Sequence, residues 1–255
     1  MSTFSDATTR FGDKASVYAL ARPRYPFTLV RHLEAVGVLQ TGMTVADVGS
    51  GTGLSAEPFL QAGYSVIGIE PNEPMRAEGE RYLKQYPEFT CRAGTATDTG
   101  LTNHSVDFAF AAQAFHWFNI AATRTEMQRI LKPPGWFLAV WNHRNHQASP
   151  FQRGYEAILR KYCPEYHQLA LLYRSPERSA EFFQHGYQDV TLVNPQVLDW
   201  PLYEARIMSS SYIPKQNDTN FVSFMHEMRE LFEKCAVDGK IAFDLELWLH
   251  YGKLN

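Results

Sequence analysis

Cysteine is scarce in this chain: three in 255 residues, Cys91, Cys163 and Cys235. None pairs as C-x-x-C, so neither a zinc ribbon nor a redox pair is expected. The three read as reduced structural thiols of an intracellular, cytoplasmic protein. Long apolar runs are missing; none approaches the roughly 18 residues of a membrane span. The opening MSTFSDATTRFGDK has no apolar h-region, so no secretory leader is expected. Charge of one sign is also lacking. The net charge is −3 and no block of like charges stands out, which argues against an electrostatic nucleic-acid binder. Repeats and low-complexity segments are absent. What remains is an ordinary globular composition, 45% hydrophobic, over a length worth about 1.7 average domains.

The middle of the chain alternates short apolar runs with helical stretches. The runs are Thr44–Val48, Ser65–Ile69, Val106–Ala111 and Trp136–Trp141, with Phe89–Ala93 weaker. Such runs, bounded by Gly, Pro and Asp, fit strands buried on both faces. Between them Ser55 and Asn72 are positioned as helix caps, and Pro133-Pro134-Gly135 reads as the breaker after a helix over Ala121–Leu131. The pattern predicts a doubly wound parallel sheet. Toward the C-terminus, Gln188–Leu198 and Lys240–His250 read as two strands, the second presenting Ile241, Phe243, Leu245, Leu247 and Leu249 to one side. Residues 201–237 between them read as mostly helical, with an apolar stripe at period 3.6. The expected organisation is one domain over residues 1–255. A Rossmann-like core spans 41–200 and 238–255, and a helical cap is built from 1–40 and 201–237.

One motif carries the chemistry. Val45-Ala46-Asp47-Val48-Gly49-Ser50-Gly51-Thr52-Gly53 follows the first strand and precedes a helix. Glycines at alternate positions allow a tight turn and a close approach of backbone to ligand. In open α/β sheets that turn lies at the strand carboxyl end, where ligands bind. A dinucleotide fingerprint G-x-G-x-x-G would put its third glycine at position 54, which is Leu54. The compressed spacing here suits a ligand with no pyrophosphate to cradle. The second strand ends in Glu70, an acid placed to accept hydrogen bonds from ribose hydroxyls.

In order, VADVGSGTG, GIEPNEPM, Thr95-Ala96-Thr97, AAQAFHWF and LKPPGWFLAV resemble the class I S-adenosylmethionine-dependent methyltransferases. The N-terminal FGDKASVYALARPRYP and Ala114–Trp117 are similar to a small-molecule subgroup that includes trans-aconitate methyltransferases. The resemblance implies a seven-stranded sheet of order 3-2-1-4-5-7-6 with strand 7 antiparallel, and S-adenosylmethionine as cofactor. Asp47, Gly49, Ser50, Gly51 and Gly53 would border its methionine part, and Glu70 would hold the ribose. Pro71, Met75, Ala96 and Thr97 would lie beside the adenine. Ala112, Gln113, His116 and Trp117 would stand near the sulfonium, and Tyr18 and Arg22 would close over the pocket. Where relatives carry an acid near the adenine, Thr95 and Thr97 stand here, followed by Asp98.

Because the cofactor brings an activated methyl group, the protein mainly positions a nucleophile and excludes water. Carboxylate, thiol and hydroxyl acceptors all stay open. His116 is the candidate base, its other reading being a pocket-shaping residue. DPPY- or NPPY-type motifs are absent, which counts against nucleic-acid amines. His143 and His146 lack a third ligand in sequence, so no metal is expected. Tyr25, His143, Arg144, Arg206 and Tyr212 are candidates for the acceptor pocket, Arg144 as a bidentate clamp for a carboxylate. The expected partner is a small-molecule acceptor, with no nucleic acid and no membrane, and a monomer or homodimer as the assembly. A cofactor-binding protein without catalysis and a nicotinamide-dependent oxidoreductase are the alternatives.

Overall fold

A computed structural model describes residues 22–164, 166, 175–210 and 212–254. Its main sheet is built from β1 (Thr44–Val48), β2 (Ser65–Ile69), β3 (Phe89–Arg92), β4 (Val106–Ala112), β5 (Leu131–Arg144), β6 (Gln188–Val193) and β9 (Leu245–Lys253). A separate pair, β7 (Gln196–Asp199) and β8 (Lys240–Phe243), runs antiparallel beside it. The main sheet has the order β3-β2-β1-β4-β5-β9-β6. Only β9 runs against its neighbours, pairing antiparallel with β5 and β6. Counted within this sheet, β9 is the seventh strand, so the observed order is the expected 3-2-1-4-5-7-6.

Side-chain alternation divides the sheet between two cores. Val45, Phe108, Phe110, Leu138 and Val140 face one way, against α1 (Phe27–Ala35) and α2 (Glu57–Gln61). Ala46, Val48, Ala109, Ala111, Phe137 and Ala139 face the other, against α4 (Ile120–Ile130) and α6 (Pro176–Phe182). Period two along each strand, with both faces covered, explains why the central strands read as unbroken apolar runs. A third cluster joins α5 (Pro150–Tyr162), α7 (Trp200–Met208), α8 (Phe221–Cys235) and the β7–β8 pair, with Phe151, Tyr155, Tyr203, Phe224 and Met228 at its centre. The stripe read on residues 221–232 is packing surface: Phe224, Met228 and Phe232 are buried there.

Four local expectations are corrected. Ser55 caps no helix; its hydroxyl donates to Asp47 Oδ2 at 2.6 Å, and Ala56 precedes α2 without a side-chain cap. Asn72, by contrast, does cap α3 (Glu73–Tyr82), accepting from Met75 N at 3.0 Å. Pro133-Pro134-Gly135 lies inside β5 rather than in a loop, where the ladder to β4 shifts register between Val106 and Phe108; such an irregularity tolerates residues that a regular ladder excludes. The two C-terminal strands are each broken. Pro195 has no N–H to give a ladder, and Asn194 N donates instead to Leu245 O at 2.8 Å. The alternation continues through the break at Asp244, but Ile241, Phe243 and Leu245 pack in the third cluster and Leu247 and Leu249 in the sheet core. Of the first forty residues, Phe27–Ala35 is helical and residues 1–21 lie outside the described set. Pro150–Tyr162, placed by sequence with the core, packs in the third cluster.

Candidate active site

The carboxyl ends of β1, β2, β4 and β5 meet in a crevice that two adjoining cavities occupy. The first, of about 330 Å³, is lined by Gly49, Gly51, Glu70, Pro71, Met75, Ala96, Thr97, Ala112, Gln113 and Trp117 among the expected residues. Sequence reasoning did not assign Ile69, Asn72, Ala114, Phe118 and Asn119, which also line it. The second, of about 260 Å³, is lined by Arg22, Tyr25, Ser50, His116, His143, Arg144, Arg206 and Tyr212, and shares Gly49, Gly51, Ala112, Gln113 and Trp117 with the first. Trp141, Asn142, His146, Tyr155, Tyr166 and Phe243 complete much of its wall; the first three flank His143 and Arg144 at the end of β5, while Tyr155, Tyr166 and Phe243 come from segments that no sequence spacing links to it. Asp47 and Gly53 line neither cavity. Tyr18 lies outside the described residues.

The glycine turn is held by its neighbour strand. Gly49 N and Ser50 N both donate to Ile69 O, at 2.8 and 3.2 Å. Gly49, Gly51 and Gly53 have φ of +76°, +53° and +79°, a region that costs other residues strain. Their roles differ. A Cβ on Gly49 would stand 2.8 Å from Ala114 Cβ, at the junction of the cavities. A Cβ on Gly53 would stand 2.6 Å from Leu83 Cδ1, so this glycine serves the close packing of the turn on the residue that ends α3.

Glu70 ties the turn to the next loop. Its Oε2 accepts from Gly51 N at 3.0 Å and its Oε1 from Asn72 N at 2.9 Å. Burial raises its pKa, opposed by those two N–H groups and by Arg76. Asp47 is fully buried beneath the turn. Burial pushes its carboxyl up to about 7 despite the Ser55 hydrogen bond, with Glu70 adding to the rise. Its Oδ1 has no hydrogen-bond partner among the described residues, and neither has Gln113 Oε1. Gln113 is a non-glycine residue at φ +55°; its Nε2 donates to Asn142 O at 2.8 Å, which fixes the amide orientation. A positive φ and a buried acceptor without a partner among the described residues thus coincide where the two cavities join.

His116 differs from the expected base. Burial, with the charge of Arg178, pushes it down to about 3. Its Nδ1 accepts from Trp141 Nε1 at 3.4 Å, which leaves the proton of the neutral ring on Nε2. The lone pair a base would use is already engaged, so the geometry favours the pocket-shaping reading. His143 is stacked on Trp248 with ring centroids 3.4 Å apart. Among the described residues no group of three His, Cys, Asp or Glu side chains is placed to hold a metal ion, and no helix is long and apolar enough to cross a membrane.

A family model described as a methyltransferase domain matches residues 46–139, the stretch from β1 through β5 that carries the glycine turn and Glu70. That stretch of the chain is thus similar to a methyltransferase domain. An uncharacterized methyltransferase of Mycobacterium tuberculosis, Rv3342, is 28% identical to it over 193 residues, 76% of this chain and 75% of the relative. A methyltransferase-like protein of Schizosaccharomyces pombe is 32% identical over half of this chain and 49% of its own. Among solved structures, a candidate type II methyltransferase from Anaeromyxobacter dehalogenans is similar in fold, with a TM-score of 0.63 at 22% identity, covering 91% of this chain and 98% of its own. The sheet has the expected order, and both cavities lie at the carboxyl ends of its strands, where open α/β sheets bind ligands.

Proposed function

We propose that this methyltransferase domain transfers a methyl group from S-adenosylmethionine to a small anionic acceptor. The observation that carries the reading is the pair of joined cavities with different linings. The first offers backbone turns, one carboxylate and small side chains; the second is lined by Arg22, Arg144 and Arg206 and by no carboxylate among its described residues.

The first cavity fits the cofactor on its own features. Glu70 can accept from two ribose hydroxyls through the lone pairs its backbone donors leave open. Gly49 and Gly51 let the backbone approach the methionine part without Cβ interference. The unpartnered Gln113 Oε1 stands where the cavities meet, ready to accept from a donor there. When bound, S-adenosylmethionine supplies the activated methyl group, and this chain need only hold the acceptor in line and keep water out. In the second cavity, aromatic walls from Trp117, Trp141, Tyr155 and Tyr212 pack a flat body, while guanidinium groups meet its negative charge. A carboxylate acceptor is already a nucleophile at neutral pH and needs no general base, which agrees with a His116 that is neutral and engaged by Trp141.

The test is a screen of small carboxylates, phenols and thiols, scored by release of S-adenosylhomocysteine. Turnover confined to anionic acceptors is the expected result. Binding of S-adenosylhomocysteine without turnover on any acceptor would favour a non-catalytic binding protein instead.

A further inference from the structure

Arg144 is not placed as a bare anion clamp. Its side chain and that of Glu156 are each about one-tenth exposed. Arg144 Nη2 donates to Glu156 Oε2 at 2.9 Å, and the Tyr166 hydroxyl donates to the same oxygen at 2.7 Å. His146 Nδ1 stands 3.0 Å from that oxygen, and Arg160 Nε donates to Oε1 at 2.9 Å. The guanidinium carbon lies 4.5 Å from the centre of the Tyr155 ring. Arg144 ends β5 and Glu156 belongs to α5, so the pair fastens the third cluster to the sheet where the acceptor cavity opens. Burial alone would raise the Glu156 carboxyl, but hydrogen bonds from His146 and Tyr166 and the charge of Arg144 hold it at about 2. It is therefore ionised across the working range of pH. An arginine in contact with a buried, ionised carboxylate has its charge answered; an incoming anion must share it or displace the partner. The other two arginines of the wall also make hydrogen bonds to the protein. Arg22 Nη2 donates to Ser209 O at 2.9 Å, and Arg206 Nη2 donates to Gln196 Oε1 at 2.6 Å with its guanidinium carbon 5.1 Å from the Phe243 ring centre.

We propose that Glu156 sets the charge selectivity of the acceptor cavity by engaging Arg144, so that Arg144 is a wall of the cavity rather than the anchor of the anion. The inference rests on the anionic-acceptor reading. With Glu156 in place, the cavity favours the less charged of two anions of similar shape, because a further negative charge meets a carboxylate behind Arg144.

The experiment titrates benzoate and phthalate by calorimetry into the full chain saturated with S-adenosylhomocysteine. Wild type, Glu156→Gln and the double variant Arg144→Met/Glu156→Gln are compared. Glu156→Gln is expected to tighten phthalate at least about tenfold and benzoate only about threefold, by exposing the Arg144 charge. The double variant removes the pair together, a change that buried ion pairs often tolerate, and is expected to bind both anions within about threefold of wild type. This second protein keeps the test decisive if Glu156→Gln alone does not fold. A loss of about tenfold or more in the double variant would make Arg144 the anchor and overturn the proposal, as would a folded Glu156→Gln that binds phthalate no more tightly. If none of the three proteins binds either anion, the anionic-acceptor reading fails, and this one with it.

Discussion

The two cavities at the carboxyl edge of the sheet are built from different material. The first combines the Gly49 and Gly51 backbone and the Glu70 carboxylate with small side chains and the larger Met75, Trp117 and Phe118. The second is made of side chains, contributed by residues 22–25, the end of β5, α5, α7 and the β8–β9 joint. Their buried charge is handled in opposite ways. Asp47, under the first cavity, receives one hydroxyl and has its carboxyl pushed up to about 7 by burial. Glu156, behind the second, receives four donors and is held at about 2. The carboxyl beneath the glycine turn thus has one oxygen without a partner among the described residues, whereas both oxygens of the carboxylate behind the second cavity are engaged.

The largest expected effect tests that contrast through stability. A carboxyl whose pKa is raised in the folded state favours folding most below its unfolded pKa near 3.8, and that contribution is lost as pH rises through about 7. Asp47→Asn should remove this slope, worth on the order of 4 kcal/mol between the two limits. Urea unfolding of both proteins from pH 4 to pH 8 reads it directly; parallel curves would mean that Asp47 is already ionised in the fold.

Next comes the glycine turn. Gly49→Val combines a positive φ with a Cβ 2.8 Å from Ala114 Cβ, and should weaken S-adenosylhomocysteine binding by about a hundredfold or more. Gly51 has a similar φ but its Cβ would make only ordinary contact, 3.6 Å from Met75 Cε, so Gly51→Ala should cost less. Equal losses would show that conformation alone, not the crowding at Gly49, limits the turn.

Glu70→Ala should cost about 1–3 kcal/mol of cofactor affinity, from the lost ribose bonds and the freed Gly51 N–H. Calorimetric affinity unchanged by that substitution would reduce Glu70 to a loop brace. Smaller again, His116→Asn should lower turnover less than about tenfold and leave the pH–rate profile without a new limb, as fits a ring that is no proton acceptor. A lost limb near neutral pH would restore the histidine as base.

The same contrast explains what could be read from the sequence. The turn at Gly49 and Gly51 and the placing of Glu70 against it were legible because they follow from local backbone geometry, fixed by spacing after β1 and β2. The strand order was legible because strands buried on both faces leave apolar runs. Ser55 was misread as a cap because its real partner, Asp47, lies on the preceding strand. The splitting of each C-terminal strand was missed because the alternation from Ile241 to Leu249 is continuous, while the core beneath it changes from the third cluster to the sheet. The second cavity was half legible. Arg144 and Arg206 were named, but Tyr155, Tyr166 and Glu156 reach the site only through the packing of α5 on β5, and no spacing encodes that.

If the first cavity holds the cofactor and the second the acceptor, as proposed, cofactor affinity depends on Glu70 and not on Arg206. The most direct measurement is a calorimetric titration of S-adenosylhomocysteine into wild type, Glu70→Ala and Arg206→Met. Binding by wild type, a loss of about tenfold or more in Glu70→Ala, and an affinity within about threefold of wild type in Arg206→Met are expected. No binding by the wild-type chain, or an equal loss in both variants, would contradict that proposal.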